Sequence, residues 1–162
     1  TKKLSLAESI EILLPCTTAL AFLHAQGLFH RDVKPHNILR RGDRYMLGDL
    51  GIVKWSDFNS SFTSAATLTN DSVQLGSWYY MAPEQRKAPS KVTEKSDVYA
   101  LGITWYQMLT GDVLDPSEVG AGEFADPTDD LEVNATLRAM LSYSPKTRPT
   151  STELLEWLVA RK

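Results

Sequence analysis

Residues 30–37 read HRDVKPHN: two histidines, an arginine, an aspartate, a lysine and an asparagine within eight positions. Most polar runs of this kind are solvated turns, so a metal site or a loop built for chemistry has to be argued from the surroundings. Asp32 and Asn37 are five positions apart, and a second aspartate, Asp49, follows in the turn Gly48-Asp49-Leu50-Gly51 after a short apolar piece. Oxygen ligands from two separate loops suit Mg²⁺, which keeps several waters and shares its coordination with substrate phosphates. Lys34, two residues after Asp32, is placed to neutralise charge on a transferring phosphoryl group. An aspartate with an ordinary pKa of about 3.9 is a weak base at neutral pH. It is still useful where the proton leaves late, because a loose phosphoryl-transfer transition state mainly needs the attacking hydroxyl held in line. The cluster points to phosphoryl transfer.

Composition bounds the rest of the reading. A chain of 162 residues is long enough for one compact domain that buries about 68–70% of its unfolded surface. Its hydrophobic share of 43% and charged share of 23% are those of a globular protein. A formal net charge of −3 gives no general case for nucleic-acid binding. The single cysteine, Cys16, cannot close an internal disulfide, so a reducing, cytoplasmic location is expected. Thr1 to Ile12 is charged and amphipathic, unlike a signal peptide. The most apolar run, Ile10 to Leu23, contains Pro15, Thr17 and Thr18 and falls short of the roughly 20 residues that span a bilayer, so no membrane contact is expected from this segment.

Apolar spacing from Leu6 to Leu23 predicts a helix that starts on a Ser5/Glu8 capping box, is kinked by Pro15 and stops at Gly27. Short strands are expected at Leu28-Phe29, Ile38-Leu39, Tyr45-Leu47 and Ile52-Val53, and a long polar loop from Ser56 to Gln74. Val98 to Leu109 is apolar on nearly every side, which is the pattern of a buried helix, ended by Gly111. Asp112 to Glu132 carries eight acidic residues and no Lys or Arg, and reads either as a solvated loop or as a surface for basic peptides. Two amphipathic helices are predicted at about 131–141 and 151–160. Trp55 and Trp78, which flank the polar loop, read as packing residues more readily than as substrate contacts. Arg40, Arg41 and Arg44 make a small solubilising turn.

In these motifs the chain resembles the larger, C-terminal lobe of a eukaryotic-type serine/threonine protein kinase. His30-Arg31-Asp32 with Lys34 and Asn37 is similar to the family's catalytic loop, and Asp49-Leu50-Gly51 to its magnesium-binding D-F-G, with Leu for Phe. Gly76-Ser77-Trp78-Tyr79-Tyr80-Met81-Ala82-Pro83-Glu84 resembles the segment ending in A-P-E, and Ser96-Asp97-Val98-Tyr99-Ala100-Leu101-Gly102 the start of the central buried helix. Arg148, in Lys146-Thr147-Arg148-Pro149, resembles the arginine that pairs with the A-P-E glutamate. The resemblance spans residues 1–162 as one partial catalytic domain, with an activation segment at about 49–84. It implies an α+β, mainly α-helical fold with short β-hairpins around the catalytic loop.

The resemblance also assigns roles. Asp32 would orient the substrate hydroxyl and accept its proton, Lys34 would contact the transferring phosphate of ATP, and Asn37 and Asp49 would hold Mg²⁺. Ser77, where the serine/threonine branch usually has Thr, would bridge Asp32 and Lys34. His30 and Leu50 would belong to the apolar stack that aligns the enzyme, Asp97 would anchor the catalytic loop, and Glu84 would pair with Arg148. Arg31 implies control by activation-loop phosphorylation, with Thr63, Ser64, Thr67, Thr69 and Ser72 as candidate acceptors. The implied partners are a protein substrate and the N-terminal lobe of the same kinase.

That lobe's Gly-rich loop and Val-Ala-Ile-Lys pattern occur nowhere in the 162 residues. The segment alone is therefore expected to be inactive, with apolar surface exposed where the lobe would pack. Two other readings stand beside an active kinase. One is a non-catalytic, pseudokinase-like binding module, for which intact Asp32, Lys34, Asn37 and Asp49 have no chemical need. The other is a metal-dependent hydrolase using His30, Asp32, His36 and Asp49, which leaves Lys34, Asn37 and the A-P-E segment unexplained.

Overall fold

A computed structural model describes residues 2–49, 54–55 and 77–161. Helix α1, Leu6–Ala25, opens on the expected capping box: Glu8 N–H donates to Ser5 Oγ at 3.3 Å and Ser5 N–H donates to the Glu8 carboxylate at 2.8 Å. Pro15 sits inside this helix without ending it, and Gly27, at φ 70°, turns the chain out of it. The helix is longer than its apolar run suggests. At 20 residues it passes by length and composition as a membrane span. Its apolar side is nevertheless used inside the fold, where Leu13, Cys16 and Leu20 have no solvent exposure. Burial pushes the Cys16 thiol up to about 12, so it stays a protonated small hydrophobe at neutral pH.

Four short strands follow. Leu28–Phe29 (β1) pairs antiparallel with Lys54–Trp55 (β4), and Ile38–Arg41 (β2) pairs with Arg44–Leu47 (β3) across the Gly42-Asp43 turn. The expected strand at Ile52-Val53 and the polar loop 56–74 lie outside the described residues, whereas the strand that pairs with β1 is the next two positions. Helix α2 is Pro83–Lys87, α3 Glu94–Thr110, α4 Pro116–Ala121, α5 Leu131–Met140 and α6 Ser151–Ala160.

The core forms around α3. Every residue from Ser96 to Leu109 is buried, as a helix apolar all round requires, and Gly111 at φ 88° ends it. Helices α1, α5 and α6 pack on it, and α1 also packs on α6 and β3. Trp105, fully buried, places its ring edge-to-face on Trp157 at 6.0 Å, and its indole N–H donates to Ser9 Oγ at 3.0 Å. At Gly102 an added Cβ would lie 3.1 Å from Met140 Cβ and 3.0 Å from Leu141 Cδ2. Gly102→Val is expected to destabilise the chain by about 1–3 kcal/mol through overpacking, read as a lower urea midpoint at unchanged slope.

Two helices, α2 and α4, arise where none was expected. Within the acidic stretch, Asp115 caps α4: its Oδ1 accepts the Ser117 N–H at 2.8 Å and its own N–H donates to Glu118 at 3.2 Å. At six residues α4 is too short to show an apolar period, so only its caps could have signalled it. Arg138 on α5 then fastens the following strap, donating to Asp126 Oδ1 at 2.8 Å and to the Phe124 carbonyl at 2.9 Å, with its guanidinium over the Phe124 ring.

Candidate active site

HRDVKPHN crosses the mouth of this helical core between β1 and β2. Its start is held by one carboxylate: Asp97, 1% exposed near the N-terminus of α3, accepts the His30 N–H at 2.8 Å and the Arg31 N–H at 2.7 Å. These bonds impose an unusual backbone. Arg31 sits at φ 68°, a left-handed conformation that costs a non-glycine residue on the order of 1–3 kcal/mol and persists only where the surroundings over-determine it. From the other side Gln85 on α2 donates to the Arg31 carbonyl at 3.0 Å. Clamped at both its N–H and its C=O, Arg31 turns the chain just ahead of Asp32.

Asp32 and Lys34 form a tight pair, with Lys34 Nζ 2.6 Å from Asp32 Oδ2 and each side chain 14% exposed. Lys34 Nζ also donates to Ser77 Oγ at 2.7 Å. The bridging member is thus Lys34 and not Ser77, because the ammonium has three donors and a long stem whereas the serine hydroxyl is short. Asn37, at the end of a 3₁₀ turn, donates through Nδ2 to the Asp32 carbonyl at 2.7 Å and to Asp32 Oδ2 at 3.0 Å. Both described contacts on the Asp32 carboxylate fall on Oδ2, which leaves Oδ1 without one among the described residues. The Gly48 N–H donates to the Asn37 carbonyl at 2.7 Å, and Asp49 follows at φ 60° with an exposed side chain.

His30 is fully buried, with Nε2 bonded to the Gly48 carbonyl at 2.9 Å, so it links the loop to the end of β3. Leu50, its expected stacking partner, lies outside the described residues, as do Gly76 and the acceptors Thr63, Ser64, Thr67, Thr69 and Ser72. Burial lowers the pKa of Arg31, opposed by nearby Asp97, and the Arg31 Nε is buried with no partner among the described residues. His36, exposed on the 3₁₀ turn, is not gathered with His30, Asp32 and Asp49: among the described residues no three of His, Cys, Asp and Glu are clustered as metal ligands. This removes the geometric basis of the hydrolase reading.

The A-P-E segment is tied down separately. Arg148, whose side chain has no exposure, grips Glu84 with two parallel bonds of 2.7 and 2.9 Å, and Ser96 Oγ donates to the same carboxylate at 2.8 Å. Tyr80 donates to Gln107 on α3 at 2.6 Å. Burial pushes the Glu84 carboxyl up, but the Arg148 and Ser96 hydrogen bonds outweigh it and hold the group below the usual glutamate range. A lowered folded-state pKa stabilises above the unfolded value, and that stability is lost as pH falls through the folded value. The stability advantage of wild type over Glu84→Gln is therefore expected to be full above about pH 5 and to shrink steadily below about pH 4, measured by urea midpoints across that range. Trp78 is 46% exposed, with the Arg86 guanidinium packed over its ring at 5.3 Å.

Sequence reading missed His24 and Gln85. His24 binds the carboxylate that holds the catalytic loop, with Nε2 2.9 Å from Asp97 Oδ2. No spacing in one dimension signals such a contact across 73 positions.

Comparison with known proteins agrees with this geometry. The family model described as "Protein kinase domain" matches residues 1–159. The chain is 38% identical over 105 residues to serine/threonine-protein kinase PrkC of Bacillus subtilis (strain 168), an alignment covering 64% of this chain and 15% of that protein. It is 36% identical over 107 residues to the probable serine/threonine-protein kinase PknB of Lactococcus lactis subsp. lactis (strain IL1403), covering 65% and 16% respectively. With serine/threonine-protein kinase PknL of Mycobacterium tuberculosis (strain ATCC 25618 / H37Rv) it shares 40% over 103 residues, covering 63% and 24%. The matched segment is thus less than a quarter of the length of each of these relatives. A helical α+β core, a loop that presents aspartate and lysine together, and a family match across nearly its whole length place this chain in the protein kinase domain family.

Proposed function

We propose that the chain is the C-terminal lobe of a serine/threonine protein kinase and provides the groups that transfer the γ-phosphoryl of ATP to Ser/Thr hydroxyls of a protein substrate. The observation that carries this reading is the contact set on Asp32: Lys34 and Asn37 both on Oδ2, with Ser77 on Lys34. Asp32 is held beside the Lys34 cation, with Oδ1 left to orient a hydroxyl and take its proton. Lys34 stands one contact away to meet negative charge on the transferring group. The Lys-Pro pair at 34–35 and the hydroxyl at 77 support Ser/Thr rather than Tyr as acceptor.

The Asn37 and Asp49 side chains fit a hard cation. The two Asn37 amide bonds to Asp32 use Nδ2 and leave Oδ1 as an oxygen donor, and the Gly48 N–H bond to the Asn37 carbonyl ties the backbone just before Asp49 to the same loop. Magnesium bound there would neutralise phosphate charge. ATP would also need a Gly-rich loop and lysine supplied by an N-terminal lobe, and Leu39 and Met46, opposite one another on β2 and β3 and both exposed, offer apolar surface for it. We further propose that the unpartnered Arg31 Nε receives a phosphate from the activation segment.

The test is a phosphotransfer assay of the full-length protein with Mg²⁺, ATP and a protein substrate, followed by phosphoamino-acid analysis. Phosphoserine or phosphothreonine is expected, and none from residues 1–162 alone. Phosphotyrosine alone, or full activity of the isolated segment, would overturn the assignment.

A further inference from the structure

Asp97 anchors the catalytic loop, and the same Oδ2 that accepts the His30 amide is also held by a buried relay. His24, near the end of α1 and 3% exposed at its side chain, has Nε2 2.9 Å from Asp97 Oδ2 and Nδ1 2.8 Å from the Oγ of Ser151, the first residue of α6. Asp97 and Ser151 are each 1% exposed. Glu94 lies 3.9 Å from Nδ1, and the ring meets Phe29 edge-on.

For a neutral His24 the contacts decide which ring nitrogen carries the proton. An ionised Asp97 is acceptor-only and already receives the His30 and Arg31 amides, so the nitrogen facing it must carry hydrogen. A neutral His24 is then the Nε2–H tautomer, and its Nδ1 lone pair needs a donor in a place closed to water. Only the Ser151 hydroxyl is within hydrogen-bond distance of Nδ1 among the described residues.

We propose that Ser151 is a positioning residue: it fixes the tautomer and ring orientation of His24, which orients Asp97 and so maintains the left-handed Arg31 that presents Asp32. Three residues before it, Arg148 grips Glu84, so the segment 148–151 fastens both the catalytic loop and the end of the A-P-E segment. The geometric part is independent of phosphotransfer. Its consequence for turnover rests on the proposed kinase reading.

Two measurements separate these. In the full-length protein, ring ¹⁵N NMR is expected to show His24 as a single Nε2–H tautomer. Ser151→Ala is expected to convert it to a tautomer mixture or to imidazolium, and to speed hydrogen exchange of the His30 and Arg31 amides at least tenfold. Amides of α3 should stay protected, and Ser151→Thr should restore the wild-type pattern. A wild-type ring in the Nδ1–H tautomer overturns the proposal whether or not the variant folds, as does an Ala variant with unchanged ring signals and exchange. In the full-length protein, Ser151→Ala should lower kcat with little change in KM for ATP. An unchanged kcat beside altered ring signals would refute the link to catalysis and leave the kinase reading intact, whereas a wild type without phosphotransfer would refute the kinase reading itself.

Discussion

Asp32→Asn is expected to lower phosphotransfer by the full-length protein about 10²–10⁴-fold, the usual contribution of a positioned acid–base group. The substitution keeps the shape of the side chain and removes its charge. The Lys34 ammonium, 2.6 Å from Oδ2, loses its counter-ion, and the oxygen that would take the hydroxyl proton becomes a neutral amide with little basicity. Nucleotide affinity should change little, because Asn37 and Asp49 are untouched and the Asn37 bond to the backbone carbonyl of residue 32 is preserved. Steady-state turnover and nucleotide binding measured on one preparation distinguish this from a folding defect. Wild-type turnover in the variant would exclude Asp32 from the proposed role.

Glu84→Ala is expected to act on the fold instead. Arg148 has no side-chain exposure, and removing Glu84 leaves its charge to the carbonyls of Ser142, Lys95 and Tyr143 at 2.8, 3.0 and 3.1 Å. Breaking a buried pair by deleting one partner costs about 3–5 kcal/mol, because an uncompensated charge remains inside. For a chain of this size that corresponds to a fall of about 6–20 °C in Tm. Because the penalty belongs to the stranded charge, Glu84→Ala combined with Arg148→Met should recover much of the loss, since apolar replacement of a whole buried pair is often neutral. Calorimetry on the wild type and both variants checks this. An unchanged Tm in the single variant would show that the pair carries no such energy.

Much of the helical fold was legible because local chemistry specified it. The Ser5/Glu8 box and the uniformly apolar run around Leu101 and Trp105 mark elements whose cause lies within a few residues. The short helices were not. Pro116–Ala121 is stabilised at its ends by Asp115, Glu118 and Gly122 and has no apolar stripe of its own, so it was read as part of an acidic stretch. The partner of Trp78 was equally invisible: an aromatic residue in a sequence carries no label saying what will pack on its ring, and Arg86 comes from the following helix.

The chemistry of the loop belongs to the sequence. An aspartate, a lysine two positions on and an asparagine three beyond that can reach one another only if the chain turns, and a proline after the lysine helps set that turn. The sequence also supplied the family resemblance, through motifs whose order does not depend on element boundaries. What only the tertiary structure decided is which distant groups hold those residues still. Asp97 reaches the loop from 66 and 67 positions away, Arg148 reaches Glu84 from 64 away, and Ser151 reaches His24 from 127 away. Such contacts follow from the packing of α1, α3 and α6 against one another. Burial there removes water as a competing partner, and a lone carboxylate, guanidinium or imidazole must then find its complement inside the protein.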